Sequence, residues 1–163
     1  MGNAFLRPFN YGAILDCLHL REPALQFQRI HDDARKPYKG SKKAAGLDIH
    51  ALENLTIHPD EIGIVRTGLK CRPPKGTYLM LTSRSGFAMS SKCIILGGTI
   101  DSDFRGEITV VLLNCSKIDV NIVRGSRIAQ LVAQKIVYPR LKEIHRLPET
   151  ERGSGGFGST GDF

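Results

Sequence analysis

Four short stretches and a tail gather the side chains of this chain that could do chemistry. They are "AGLDIHA" (Ala45 to Ala51) with Asp48, "SRSGFA" (Ser83 to Ala88) with Arg84 and Ser85, "GGTIDSDFRG" (Gly97 to Gly106) with Asp101 and Asp103, "GSRIAQL" (Gly125 to Leu131) with Arg127 and Gln130, and "RGSGGFGSTG" (Arg152 to Gly161). Cations, hydroxyls and backbone N–H groups opened by glycine are what a phosphate requires, and "SRSG" offers all three. Each stretch taken singly also has a structural explanation. Asp48 could be a strand residue, "SRSG" a turn, "DSDFRG" a hairpin tip and Arg127 a surface charge. By composition, the closing stretch is a flexible low-complexity tail.

The whole chain favours phosphate chemistry. Its 163 residues suffice for one domain, and 23 Lys and Arg against 16 Asp and Glu leave a net charge of +7. Such a balance raises the expectation of phosphate-bearing partners, nucleotides and nucleic acid both being open. The densest basic stretch, "RKPYKGSKK" from Arg35 to Lys43, reads first as a solvated loop. The four cysteines stand far apart without a C-x-x-C pair, and the five histidines are scattered, so no disulfide and no metal is assigned to either type. His50 shares a face with Asp48 if that segment is a strand. No apolar run reaches the length of a membrane span, and the N-terminus lacks the pattern of a signal peptide.

The elements that must position these residues follow a period of two. "LQFQRI", "EIGIVRTGLKC", "TYLMLTS", "KCIILGGTI", "EITVVLLN", "RIAQLVAQKIVY" and "RLKEIHRL" all read as strands. In the sixth, Arg127, Ala129, Leu131 and Ala133 are expected on one face and Ile128, Gln130, Val132 and Gln134 on the other. One short helix is expected in "SGFAMSSK". Strands of this length and spacing predict an all-β, single-domain sandwich, barrel or jelly roll.

Taken together, in this order and spacing, the five stretches resemble the trimeric dUTPases, the dUTP pyrophosphatase family, over about residues 25 to 161. The resemblance implies a jelly-roll-like β-barrel or sandwich assembled as a homotrimer. It also implies hydrolysis of dUTP to dUMP and pyrophosphate, which limits uracil incorporation into DNA and supplies dUMP for dTMP synthesis. On this resemblance Arg84, Ser85, Gly86 and Gln130 bind the phosphates, with Arg127 supporting them. Asp48 holds Mg2+ through water, and Asp101 activates the water that attacks the α-phosphate in line. The backbone from Gly98 through Ile100 to about Thr109 reads uracil, whose N3–H lies between two carbonyl acceptors where cytosine reverses the pattern. Phe104, where the family usually has Tyr, lies against the deoxyribose and excludes a ribose hydroxyl. A mobile Gly-rich C-terminal arm closes over a neighbouring subunit's site, bringing Arg152, Gly158, Ser159 and Thr160 to the phosphates and Phe157 onto the base.

The implied organisation is an N-terminal extension of unknown role (1–23), a β domain (24–148) and an arm (149–163). An intracellular protein is expected, cytoplasmic and/or nuclear, with a cellular or a viral source both open, and without membrane or nucleic-acid partners. Ser126 departs from the family, which usually has Asp or Glu after the glycine of the fourth stretch, and reduced activity is expected from it. The alternative is a catalytically weakened dUTPase-like signalling or scaffold module, although such relatives usually lose the hairpin aspartate or the arm, and both are present. The related dCTP deaminases need a glutamate in the strand after the hairpin, where this chain has Thr109, Val110, Val111 and Leu112. Nucleic-acid binding lacks an aromatic-interleaved basic patch or a zinc module.

Overall fold

The computed structural model describes residues 23–156. Within them the chain forms strands β1 (Gln26–Arg29), β2 (Leu47–His50), β3 (Leu55–Ile57), β4 (Ile62–Arg66), β5 (Leu69–Arg72), β6 (Thr77–Thr82), β7 (Cys93–Leu96), β8 (Thr99–Ile100), β9 (Thr109–Asn114), β10 (Val120–Ile122) and β11 (Arg127–Lys135), of which β2, β3 and β10 lie outside the seven quoted period-two segments. The expected helix is α1, Ser85–Ser91, which ends at Lys92 in the left-handed conformation. Two predicted strands are broken by glycine: Thr67 and Gly68, with φ +67° at the glycine, separate β4 from β5, and Gly97, at φ +60°, with Gly98 separates β7 from β8. No helix is long and apolar enough to cross a membrane among the described residues.

All strand pairs are antiparallel, in the order β2-β11-β6-β8 in one sheet, β4-β9-β7 in another, and the pairs β1-β5 and β3-β10. Because sequence neighbours rarely pair, the chain crosses repeatedly between sheets, giving a jelly-roll-like all-β fold. Leu79, Leu81, Ala129 and Leu131 from the first sheet join Val65, Val110 and Leu112 from the second in one core. Buried Asn114 closes one end: its amide donates to the carbonyls of Ile57 and Ile118, and its Oδ1 accepts from Ser116 N–H and Oγ–H. Its polar atoms are thereby satisfied away from water.

Two further expectations are corrected. The alternation in β11 fails at its start, where the register shifts between Arg127 and Ala129, so Ile128 and Ala129 are both buried. An extra residue in one strand of a pair bends it and breaks the two-face rule. The segment "RLKEIHRL" forms no strand. Leu141 and Leu147 are exposed there, and no strand of the described residues runs beside it; alternation without a partner edge does not make a strand.

Candidate active site

Three elements bring the phosphate-type residues together. Asp48 in β2 lies opposite Gln130 in β11, and Gln130 lies opposite Thr82 in β6, so the three occupy one row across the sheet. On its other side Asp48 is fixed by Tyr38, which exchanges two backbone hydrogen bonds with it at 2.7 and 3.1 Å. The chain leaves β6 through Ser83 and Arg84 directly into α1. Arg84 Nε donates to Asp48 Oδ1 at 2.8 Å, Arg127 donates to Oδ2 at 3.2 Å, and Arg84 also donates to the Arg127 carbonyl at 3.2 Å. Gln130 Nε2 donates to the Ser83 carbonyl at 3.1 Å. Gly46 makes room for this amide, since a Cβ there would stand 2.9 Å from both Cβ and Cδ of Gln130.

At 8% exposure, Asp48 is a carboxylate held between two guanidinium groups. Ser85 and Gly86 are exposed in the first turn of α1, where Arg84 supplies no side-chain cap and the first helical bond is donated by Ala88. Their N–H groups therefore face solvent without a helical partner. This corner offers cations, a hydroxyl and open donors in one place.

The hairpin residues lie elsewhere. Ile100 pairs with Leu79 and Gly98 O accepts from Leu81 N–H at 2.7 Å, which carries Asp101 toward the start of β6 while Arg84 follows its end. At about 3.3 Å per residue, Leu79 to Arg84 spans up to roughly 16 Å. Asp101 is exposed, and its carbonyl accepts from Phe104 N–H at 3.1 Å. Arg105 closes the turn onto the carbonyls of Ser102 and Phe104. Phe104 is 44% exposed, and its ring folds over Gly106, where a Cβ would stand 2.9 Å from Cε2. Thr109 opens β9 opposite Arg66.

One chain thus unites Asp48, Arg84, Ser85, Gly86, Gln130 and Arg127, while Gly98, Ile100, Asp101 and Phe104 follow one another at the hairpin and Thr109 stands in the other sheet. Arg152 stands in a local turn, with its Nε donating to the Gly155 carbonyl at 2.9 Å. Phe157, Gly158, Ser159 and Thr160 lie outside the described residues.

In the sequence His50 stands out only by sharing the Asp48 face. Among the described residues its buried Nδ1 has no hydrogen-bond partner. Burial and the Arg35 guanidinium, followed by Arg127 and Arg84, push the imidazole below its ordinary pKa, against the opposing pull of Asp48. Glu107 was missed altogether. Burial works against its charge, but the Gly68 N–H and the Arg66 guanidinium outweigh it and hold the carboxyl below its usual value.

The dUTPase family model matches residues 32–161. Mouse deoxyuridine 5'-triphosphate nucleotidohydrolase is 44% identical over 138 residues, covering 85% of each chain. The Helicobacter pylori P12 enzyme of the same name is 42% identical over 84% of this chain and 96% of its own. Among solved structures, the Staphylococcus bacteriophage 80alpha dUTPase with dUPNHPP superposes with a TM-score of 0.79 at 29% identity, over 85% of this chain and 98% of that one. A mutant dUTPase from phage phi11 of S. aureus, described as revealing the coordination of a structural Mg(II) ion, gives 0.70 at 27% identity over 76% and 97%. By the matched residues and by the fold, this chain belongs to the dUTPase family.

Proposed function

We propose that this chain hydrolyses dUTP to dUMP and pyrophosphate, and that the Asp48, Arg84 and Arg127 cluster beside Gln130 and α1 is its triphosphate site. The observation that carries this is the exposed first turn of α1 directly following a guanidinium held in place by a buried carboxylate. Arg84, Ser85, Gly86 and Gln130 bind phosphate oxygens, and Arg127 keeps Asp48 and Arg84 in register. Fixed donors of this kind stabilise charge without reorganising during the reaction.

The Mg2+ implied by the family fits Asp48 through water. Both its carboxylate oxygens already accept guanidinium N–H, and no group of three His, Cys, Asp or Glu gathers as a cage among the described residues. Mg2+ commonly keeps its waters and takes one carboxylate plus phosphates, and when bound it would supply charge neutralisation. Asp101 acts as the base: its carboxylate accepts the proton of the water that attacks the α-phosphorus, while pyrophosphate leaves. The backbone from Gly98 to Thr109 reads uracil, and Phe104 lies against deoxyribose. Arg152, Gly158, Ser159, Thr160 and Phe157 belong to an arm, residues 149–163, that completes the site beyond a β domain of residues 24–148.

The separation of Asp101 from Arg84 along β6 supports a homotrimer, in which the hairpin of one copy meets the phosphate corner of another. The outer face of the β4-β9-β7 sheet, with Ile62, Ile64, Val111, Leu113, Ile94 and Leu96, is the surface for that contact. An intracellular site of action follows from the substrate.

The test is pyrophosphate release from dUTP with Mg2+, beside dCTP, dTTP and UTP. Release from dUTP alone, lowered about a thousandfold in Asp101→Asn, is expected. No release from folded, assembled protein overturns the reading and points to the signalling or scaffold alternative.

A further inference from the structure

The loop that carries Asp101 and Phe104 is poorly tethered. Its hydrogen bonds from Asp101 to Gly106 are internal among the described residues, apart from a 2.6 Å contact between Ser102 Oγ and Tyr138 OH. Its entry is fastened by β8 to β6. Its exit is Gly106, a backbone swivel, and the Phe104 ring lies over that glycine. The next fixed point is buried Ile108, whose N–H donates to Leu69 O at 2.7 Å and whose carbonyl accepts from Thr67 Oγ at 2.6 Å.

Between swivel and anchor stands Glu107. Its Oε1 accepts from Gly68 N–H at 2.8 Å, and its Oε2 accepts from Arg66 Nε and an Arg66 terminal nitrogen at 3.2 and 3.1 Å. The turn it grips cannot give way easily. Gly68 sits at φ +67°, a Cβ there would stand 2.7 Å from the Ala34 Cβ, and its carbonyl accepts from Ile30 N–H. Charge-assisted bonds of this type are short and directional.

We propose that Glu107 is a positioning residue for sugar selection, its carboxylate holding Gly106 in the one rotation that keeps the Phe104 ring against the deoxyribose. The proposal rests on the assignment of the hairpin as the base and sugar site. Because Ile108 anchors β9 independently, loss of the Glu107 charge loosens the ring without unfolding the sheet. The carboxyl is charged at neutral pH for the reasons given above, so the tether is in force under working conditions.

The experiment is calorimetric binding of dUMP and UMP to the full-length assembled protein, for wild type, Glu107→Gln, Glu107→Asp, Phe104→Ala and the Phe104→Ala/Glu107→Gln double variant, with the melting temperature of each. The expected result is that Glu107→Gln shrinks the preference for dUMP over UMP about tenfold, that Glu107→Asp recovers part of it, and that the double variant loses no more than Phe104→Ala alone. An unchanged preference in Glu107→Gln, whatever its melting temperature, overturns the proposal, as do additive losses in the double variant. Wild type that prefers dUMP but releases no pyrophosphate from dUTP refutes catalysis alone and leaves this proposal to be decided by the binding data. Wild type that binds both nucleotides equally refutes the proposal together with the sugar-site assignment.

Discussion

Arg84 Nε donates to Asp48 Oδ1 at 2.8 Å although 36 residues separate them, and this bond aligns the entrance of α1 with strand β2. Both side chains are largely shielded from water, so the pair is more than a surface contact. Asp48→Asn removes the charge that Arg84 and Arg127 share and leaves two cations facing each other. The expected cost is about 2 kcal/mol of stability, a drop of roughly 5 °C in melting temperature, with a fall in kcat/KM of about a hundredfold. Calorimetry and pyrophosphate release check the two effects, and an unaltered kcat/KM would remove Asp48 from the site.

Much of this was legible in the sequence because glycines and alternating apolar residues report backbone geometry locally. The helix after Arg84 and the gathering of Asp48, Arg84 and Gln130 lie within recognisable stretches, whereas the breaks at Gly68 and Gly97 fall inside segments that read as continuous strands. The inward turn of Ile128 was not legible, since a bulge depends on the partner strand. Nor was Glu107, whose partners Arg66 and Gly68 are 41 and 39 residues away and mark themselves by no spacing rule. The alternation from Arg140 to Leu147 misleads for a related reason: a strand is a property of two segments, and among the described residues this segment has no partner strand.

His50 carries a pH dependence with a definite sign. Its folded-state pKa lies below the ordinary 6.5, so the unfolded chain takes up the proton first as pH falls through that value. Stability from this group is complete above 6.5, declines as pH drops below it and levels off under the folded pKa. His58 has the opposite sign: its bond to Asp119 raises its pKa, and its contribution is lost as pH rises through the folded value. The two must therefore be separated by difference. The melting temperature of wild type minus that of His50→Gln should fall between pH 7.5 and 5, and a flat difference would contradict the assignment.

Ser126 follows a glycine whose carbonyl and Cα lie against an arginine. The Arg35 guanidinium lies over Gly125, where a Cβ would stand 2.6 Å from it, and donates to the Gly125 carbonyl at a long 3.4 Å. Among the described residues no carboxylate pairs with Arg35. Ser126→Asp adds an acidic group beside it, and kcat/KM for dUTP should rise about threefold, as expected for one partly exposed ion pair. Kinetics equal to those of the parent protein would show that Ser126 causes no deficit.

The proposed homotrimer places the outer face of β4-β9-β7 between copies of the chain. Ile62 and Ile64 are 58% and 61% exposed, and Ile64 lies opposite Val111 while Ile94 lies opposite Leu113, so the branched side chains form two adjoining rows. Water contact on that much aliphatic surface is unfavourable at about 25 cal/mol for each Å2, which favours covering it with further copies of the chain. Ile64→Asp places a charge in the middle of the face without entering the core, which Val65 occupies on the opposite side. Wild type should run at three times the 18.0 kDa chain mass in light scattering, and the variant should dissociate and lose dUTP hydrolysis while keeping its β-sheet circular dichroism. A variant that remains trimeric and active would place the interface elsewhere, and active monomers would show that one chain can assemble the site alone.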